Sequence, residues 1–164
     1  MRLETLNTCS PAEAAAQLTP CVDIPRWIHA IVDARPFSSE AELIAFAEKA
    51  AHPWTEAEID GALAHHPRIG ERASGNTTEA SMSRGEQAGV STAVEIQTAL
   101  LEGNRAYEEK FGRVFLIRAA GRSAEDILAA LEQRLHNPPE RELAVIAQQL
   151  REIAILRLKG VLEA

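Results

Sequence analysis

Cysteine is scarce: Cys9 and Cys21 are the only two in 164 residues. Two thiols so near one end cannot found a disulfide framework, so they read as small reduced side chains of a cytosolic protein. No apolar run approaches the roughly 20 residues that a membrane span needs. The N-terminus also lacks the basic-then-apolar order of a signal peptide. These absences predict a cytoplasmic protein with no membrane partner. Positive charge is short as well. The formal net charge is -7, and without a basic face no nucleic-acid partner is expected. An anionic ligand would have to be met by a local group of arginines. Finally, there is no Ser-His-Asp or Cys-His nucleophile signature, no phosphate loop and no dinucleotide fingerprint. Proton chemistry without a cofactor is what these absences leave.

What is present is helix. The 46% hydrophobic content over this length is enough for one domain with a substantial core. Ser10-Pro11-Ala12-Glu13 is a capping box with proline at the first helical position. Ser39 with Glu42, Thr55 with Glu58, and Ser123 mark further helix starts. Trp27, Ile28, Ile31 and Val32 share one face at helical spacing, as do Ile127, Leu128, Leu131 and Leu135. A helical pattern runs from about Ser83 to Phe111, weakened by Gly85, Gly89 and Gly103, with a bend near Gly89. The last helix is expected from about Glu140 to Leu158. Residues 73–82 are polar and without a period, which predicts an exposed loop. Residues 111–119 (FGRVFLIRA) are rich in strand-type side chains but too short and solitary to found a sheet. The predicted architecture is one all-α domain over residues 1–164, a helical bundle with a short extended connector near 111–119.

One stretch resists this pattern. His65-His66-Pro67-Arg68-Ile69-Gly70-Glu71 gathers imidazole, proline, guanidinium, glycine and carboxylate within seven positions. Proline biases His66 towards an extended backbone, so no helix runs through it. A histidine on a bent loop between rigid helices suits acid-base chemistry, since imidazole both gives and takes a proton near neutral pH. His65 ends the preceding helix and reads as a terminal cap. His29, His52 and His136 stand alone and read as surface or packing residues. His52, His65, His66 and Glu71 contain the donor types of a metal site, but no pair has the spacing of a known ligand motif. Ser83-Arg84-Gly85-Glu86-Gln87 carries two readings. It is a capping box, and it is also a helix start whose free N–H groups would face an anion. Glu86 is placed to orient His66, and Gln87 adds an amide that donates and accepts.

Taken together in this order, His66-Pro67-Arg68-Ile69-Gly70, Ser83-x-x-Glu86-Gln87, Asn104-x-x-Tyr107-x-x-Lys110-Phe111-Gly112 and Ile155-Leu156-Arg157-Leu158 resemble the 2-oxo-4-hydroxy-4-carboxy-5-ureidoimidazoline (OHCU) decarboxylase family. Trp27, Arg35-Pro36-Phe37, Gly121-Arg122-Ser123 and Arg134-Leu135 extend the likeness over nearly the whole chain. The resemblance implies an all-α enzyme of urate breakdown that removes CO2 from OHCU to give (S)-allantoin, with no metal or organic cofactor, as a homodimer. It implies His66 as the catalytic histidine and Glu86 as the essential glutamate, and the chemistry of decarboxylation then makes His66 the expected proton donor. It assigns substrate contacts to Pro67, to Ser83, Arg84, Gly85 and Gln87, to Phe115, Leu116, Ile117, Arg118 and Ala119, and to Arg157. Arg118 departs from the family pattern, which expects a more neutral side chain there. Two other readings stay open from the residues alone: a metal-assisted hydrolase of a ureide or cyclic amide, and a non-catalytic helical interaction domain.

Overall fold

The computed structural model describes residues 1–69, 78–86 and 94–163, and among these it has nine helices and no strand. The all-α expectation therefore holds. The helices gather into two compact units, Met1–Ala62 with Arg151–Ala164, and Leu63–Leu150. Among the described residues no helix is long and apolar enough to cross a membrane.

The first unit contains α1 (Leu3–Thr8), α2 (Pro11–Leu18), α3 (Pro25–Ala34), α4 (Glu40–Ala50), nearly all of α5 (Glu56–Leu63) and the last part of α9 (Pro139–Glu163). Its helix starts follow the predicted chemistry. Ser10 Oγ accepts from Glu13 N–H and Glu13 Oε2 accepts from Ser10 N–H, both at 3.2 Å. Thr55 and Glu58 make the same exchange at 2.9 and 3.1 Å. Each such cap is worth about 1 kcal/mol. At α4 only half the box forms. Ser39 Oγ accepts from Glu42 N–H, while the Glu42 carboxylate turns back to the hydroxyl and N–H of Ser38, which hold its carboxyl below the usual range.

Helix α1 has no sequence signal of its own, because six residues are too few to show a period. Tertiary contacts supply what propensity does not. Arg35 Nη1 donates to Leu6 O at 2.9 Å and Cys9 O at 2.8 Å, placing a cation at the electronegative end of α1. Asn7 and Phe37 exchange two hydrogen bonds of 2.9 Å. The Arg35-Pro36-Phe37 turn that ends α3 is thus also the clasp on α1. Trp27, Ile28, Ile31 and Val32 are all buried as their spacing requires, and Trp27 Nε1 donates to Ala47 O at 3.0 Å, tying α3 to α4.

Both cysteines are free thiols, as expected. Cys21 is fully buried, and burial pushes its thiol up to about 12, with the Arg157 guanidinium pulling weakly the other way. The thiolate is the reactive form. Iodoacetamide at neutral pH is therefore expected to modify the half-buried Cys9 well before Cys21, which should react only on unfolding. Peptide mass spectrometry over a time course reads the order, and equal rates in the folded protein would contradict the assignment.

The second unit contains α6 (Thr78–Glu86), α7 (Val94–Phe111), α8 (Ala124–Arg134) and the first part of α9. Its core joins Ile69, Leu100, Tyr107, Phe115, Ile117, Ala119, Ile127 and Leu131. Gly103 does more than weaken a helix: a Cβ there would lie 2.3 Å from Leu131 Cδ2, so the bare backbone lets α8 approach α7. Ser123 and Asp126 form the capping box of α8. The chain between α7 and α8 is extended but joins no sheet, and it turns at Gly112 and Gly121 with φ of 70° and 77°. Phe115, Ile117 and Ala119 enter the core at the alternation an extended chain imposes.

Three boundaries differ from the sequence reading. Residues 78–82, expected in an exposed loop, belong to α6. Polarity alone does not forbid a helix, and no glycine or proline interrupts positions 78–84. The last helix runs to Glu163, five residues past Leu158, and Gly160 does not end it. The helix expected from Ser83 is α6 up to Glu86 and α7 from Val94; the expected bend near Gly89 lies outside the described residues.

Candidate active site

Three segments of the second unit carry the predicted site. The first is the link that leaves α5. His66 N–H donates to Leu63 O at 3.0 Å, closing the last turn, and Pro67 prevents any continuation. His66 and Pro67 are half-buried, while His65 is exposed. Beyond them the link is fastened to α7 at two successive residues. Arg68 Nε donates to both carboxylate oxygens of Glu108, at 2.9 and 3.2 Å. Asn104 Nδ2 donates to Ile69 O at 3.0 Å, and the Ile69 side chain is in the core. Asn104 and Glu108 stand one turn apart on one face of α7. A short loop is thereby held at both ends with an imidazole between. Gly70 and Glu71 lie outside the described residues.

The second segment is α6, and here the expected helix start is corrected. Ser83 lies inside α6 and Glu86 is its last residue, so Ser83-x-x-Glu86 caps nothing and offers no free N–H groups to an anion. The four-residue pattern is local; the helix had already begun at Thr78. Glu86 instead stands at the electronegative end of α6, a setting that favours a nearby cation. Glu79, in the first turn, brings Oε1 to 4.0 Å from His65 Nδ1. At about 100° per residue, Glu79, Ser83 and Glu86 share one face of the helix. Ser83 on this face is buried and Glu86 half-buried. Arg84, half-buried, and Gly85, exposed, fall on other faces. Gln87 lies outside the described residues.

The third segment is Phe115–Ala119. The side chains of Phe115, Ile117 and Ala119 are committed to the core, so any ligand contact from these three is through backbone. The backbone itself is hung from side chains. Arg134 Nη1 donates to Leu116 O at 2.7 Å, Arg118 N–H donates to Gln149 Oε1 at 2.9 Å, and Arg122 Nε donates to Arg118 O at 2.8 Å. The Arg134 guanidinium stacks 4.5 Å over the Phe115 ring and is paired with Glu142, with Nε to Oε1 at 2.7 Å. Glu142 Oε1 also accepts from the Tyr107 hydroxyl at 2.6 Å, and Oε2 from Asn137 Nδ2 at 2.9 Å. Burial first, and then the bond to Glu142, pushes the Tyr107 phenol well above its ordinary value.

Sequence reasoning had no role for Glu142 or Gln149. A signal did exist. Arg134 falls on the apolar stripe of α8 with Ile127 and Leu131, and Glu142 on that of α9 with Ile146 and Leu150. A charge in an apolar stripe requires a buried partner. Arg157 belongs to the first unit, where it is buried on α9 and its Nη1 donates to Pro20 O at 2.9 Å.

The chain is similar to known proteins over most of its length. Residues 7–159 match the sequence profile described as OHCU decarboxylase. The chain is 29% identical over 137 residues to 2-oxo-4-hydroxy-4-carboxy-5-ureidoimidazoline decarboxylase of Amia calva, covering 82% of this chain and 78% of that protein. It is 34% identical over 101 residues to the uric acid degradation bifunctional protein TTL of Arabidopsis thaliana, covering 59% of this chain. The matched parts make up only 31% and 32% of the bifunctional relatives from Arabidopsis thaliana and Bacillus sp. (strain TB-90), so the chain spans about a third of their length. A crystal structure of OHCU decarboxylase in the presence of (S)-allantoin superposes with a TM-score of 0.72 at 27% identity, covering 88% of this chain and 95% of that one.

Proposed function

Because the chain belongs to the OHCU decarboxylase family, we propose that it removes CO2 from 2-oxo-4-hydroxy-4-carboxy-5-ureidoimidazoline and releases (S)-allantoin, as a step of urate breakdown. The observation that supports this reading is the half-buried His66, on a link fastened to α7 and approached by α6 where Glu79 lies 4.0 Å from His65. In the proposed reaction the bond from the ring carbon to the carboxylate breaks and CO2 leaves. The electron pair it leaves behind delocalises into the conjugated ring of the substrate. His66 then delivers a proton to one face of that carbon, which fixes the hand of the product, and recovers its proton from solvent. Glu86 orients and polarises the imidazole. Ser83 and Gln87 hold the ureido and ring amides, Pro67 shapes the pocket beside His66, and backbone groups of Phe115–Ala119 pair with the planar ligand. The guanidinium of Arg157 anchors a carboxylate or carbonyl edge, an assignment that stands on the family resemblance.

No metal or organic cofactor enters this scheme, and the working species is a homodimer in the cytoplasm acting as one domain over the whole chain. Freshly generated OHCU is expected to lose its circular dichroism signal faster with the protein than without, giving (S)-allantoin in enantiomeric excess. The same fraction, assigned a mass by light scattering, should contain two chains. Decay at the uncatalysed rate would overturn the function. Activity that a chelator abolishes would overturn its cofactor-free form.

A further inference from the structure

Resting on that reading, we propose that Asn104 is a positioning residue for the proposed proton donor, setting the His66 imidazole through the carbonyl of Ile69 with Glu108 as its second grip. Asn104 is 3% exposed and stands among Leu100, Tyr107 and Ile69 in the core of the second unit. Its Nδ2 donates to Ile69 O at 3.0 Å, whereas its Oδ1 is buried and has no hydrogen-bond partner among the described residues. A buried amide that satisfies only its donor half is a costly core residue, and what it returns is the bond to Ile69 O, which an apolar side chain of the same size would leave without a donor. The purpose of Asn104 is thus the carbonyl it holds.

That carbonyl belongs to the third residue after His66. A cavity of about 230 Å³, bordered by Arg68, Ile69, Gln97, Thr98, Leu101 and Asn104, opens between the link and α7. Beside that gap the Ile69 side chain packs in the core, and two polar contacts to α7 add to its hold. Asn104 fixes the main chain at Ile69, and Glu108, one turn further along α7, fixes the Arg68 side chain. At the other end His66 N–H is tied to Leu63 O, so His66 and Pro67 span a short bridge between fixed points. Release of one point lets the imidazole drift by a fraction of its own width, and misplacement of about 1 Å can cost about 100-fold in rate.

Two variants test this. Asn104→Leu, close to asparagine in size, removes the donor without leaving a hole. It is expected to fold, to lower kcat about 100-fold with KM little changed, and to reduce the enantiomeric excess of the allantoin formed. Glu108→Gln, on the surface, is expected to move the same readouts in the same direction by less. In the ligand-free protein the His66 imidazole resonance should shift in both variants, a readout that needs no turnover. A folded Asn104→Leu protein with wild-type kcat, product hand and His66 resonance would overturn the inference. Should that variant fail to fold, Glu108→Gln decides, and unchanged kcat with an unmoved resonance overturns it. Wild-type protein inactive on OHCU would instead refute the functional reading, and the resonance alone would then decide the positioning role.

Discussion

His66→Ala is expected to lower enzymatic decarboxylation of OHCU by about 10²–10⁴-fold, the usual worth of a positioned general acid, while the helical circular dichroism stays unchanged. The fold should survive because His66 sits outside every helix and outside the core cluster; its backbone N–H, which closes the turn onto Leu63 O, is kept in alanine. The chemistry should not survive. Once CO2 has left, the carbanion-like ring carbon needs a proton from one side, and water can supply it from either. Residual allantoin is therefore expected to be nearly racemic as well as slow to form. Glu86→Gln provides the paired test. It keeps the size of the side chain at the end of α6 but removes the charge, and should reduce kcat by the same mechanism while leaving His66 in place. A His66→Ala protein that still made (S)-allantoin at the wild-type rate would end the assignment of His66 as donor.

How much of this was legible in the sequence depends on the range over which each signal acts. Capping boxes read at Ser10, Ser39 and Thr55 involve four consecutive residues, and the structure realises those at Ser10 and Thr55 in full and half of that at Ser39. The same four-residue pattern at Ser83 misled, because it is blind to whether a helix is already running, and α6 begins at Thr78. Apolar spacing placed Trp27, Ile31, Ile127 and Leu131 in cores correctly. It could not show that Gly103 is where α8 touches α7, since that demand comes from Leu131, 28 positions away. The residues proposed for the chemistry were legible as types: an imidazole before proline, and a carboxylate in a motif. What holds them was not. The bonds from Asn104 to Ile69 and from Tyr107 to Glu142 each join residues 35 apart, and no local pattern contains such a pair.

Among changes to stability, the largest expected effect is at Glu142. Glu142→Ala should destabilise the protein by about 3–5 kcal/mol, the range for breaking a buried ion pair from one side. The side chains of Arg134 and Glu142 are 8% and 1% exposed. Removing the carboxylate strands a guanidinium, the Tyr107 hydroxyl and the Asn137 amide at once. Removing both charges should behave differently. Arg134→Met with Glu142→Leu leaves no uncompensated ion, so the share of the loss due to the stranded charge should return, while about 1–3 kcal/mol remains for each buried group still without a partner. Those groups are the Tyr107 hydroxyl and Leu116 O. Adding Tyr107→Phe should recover the share of the first. Urea midpoints at constant slope measure the series, and a Glu142→Ala protein within about 0.5 kcal/mol of wild type would refute the buried pair as a stabilising unit. Leu116 O separates stability from function. In the double variant it has lost Arg134, so one of the bonds that hold the backbone of the segment proposed to pair with the substrate is gone. With Tyr107→Phe added, that protein should be clearly more stable than Glu142→Ala yet bind OHCU with a raised KM, because its core no longer needs the ion pair while the proposed wall of its site still does.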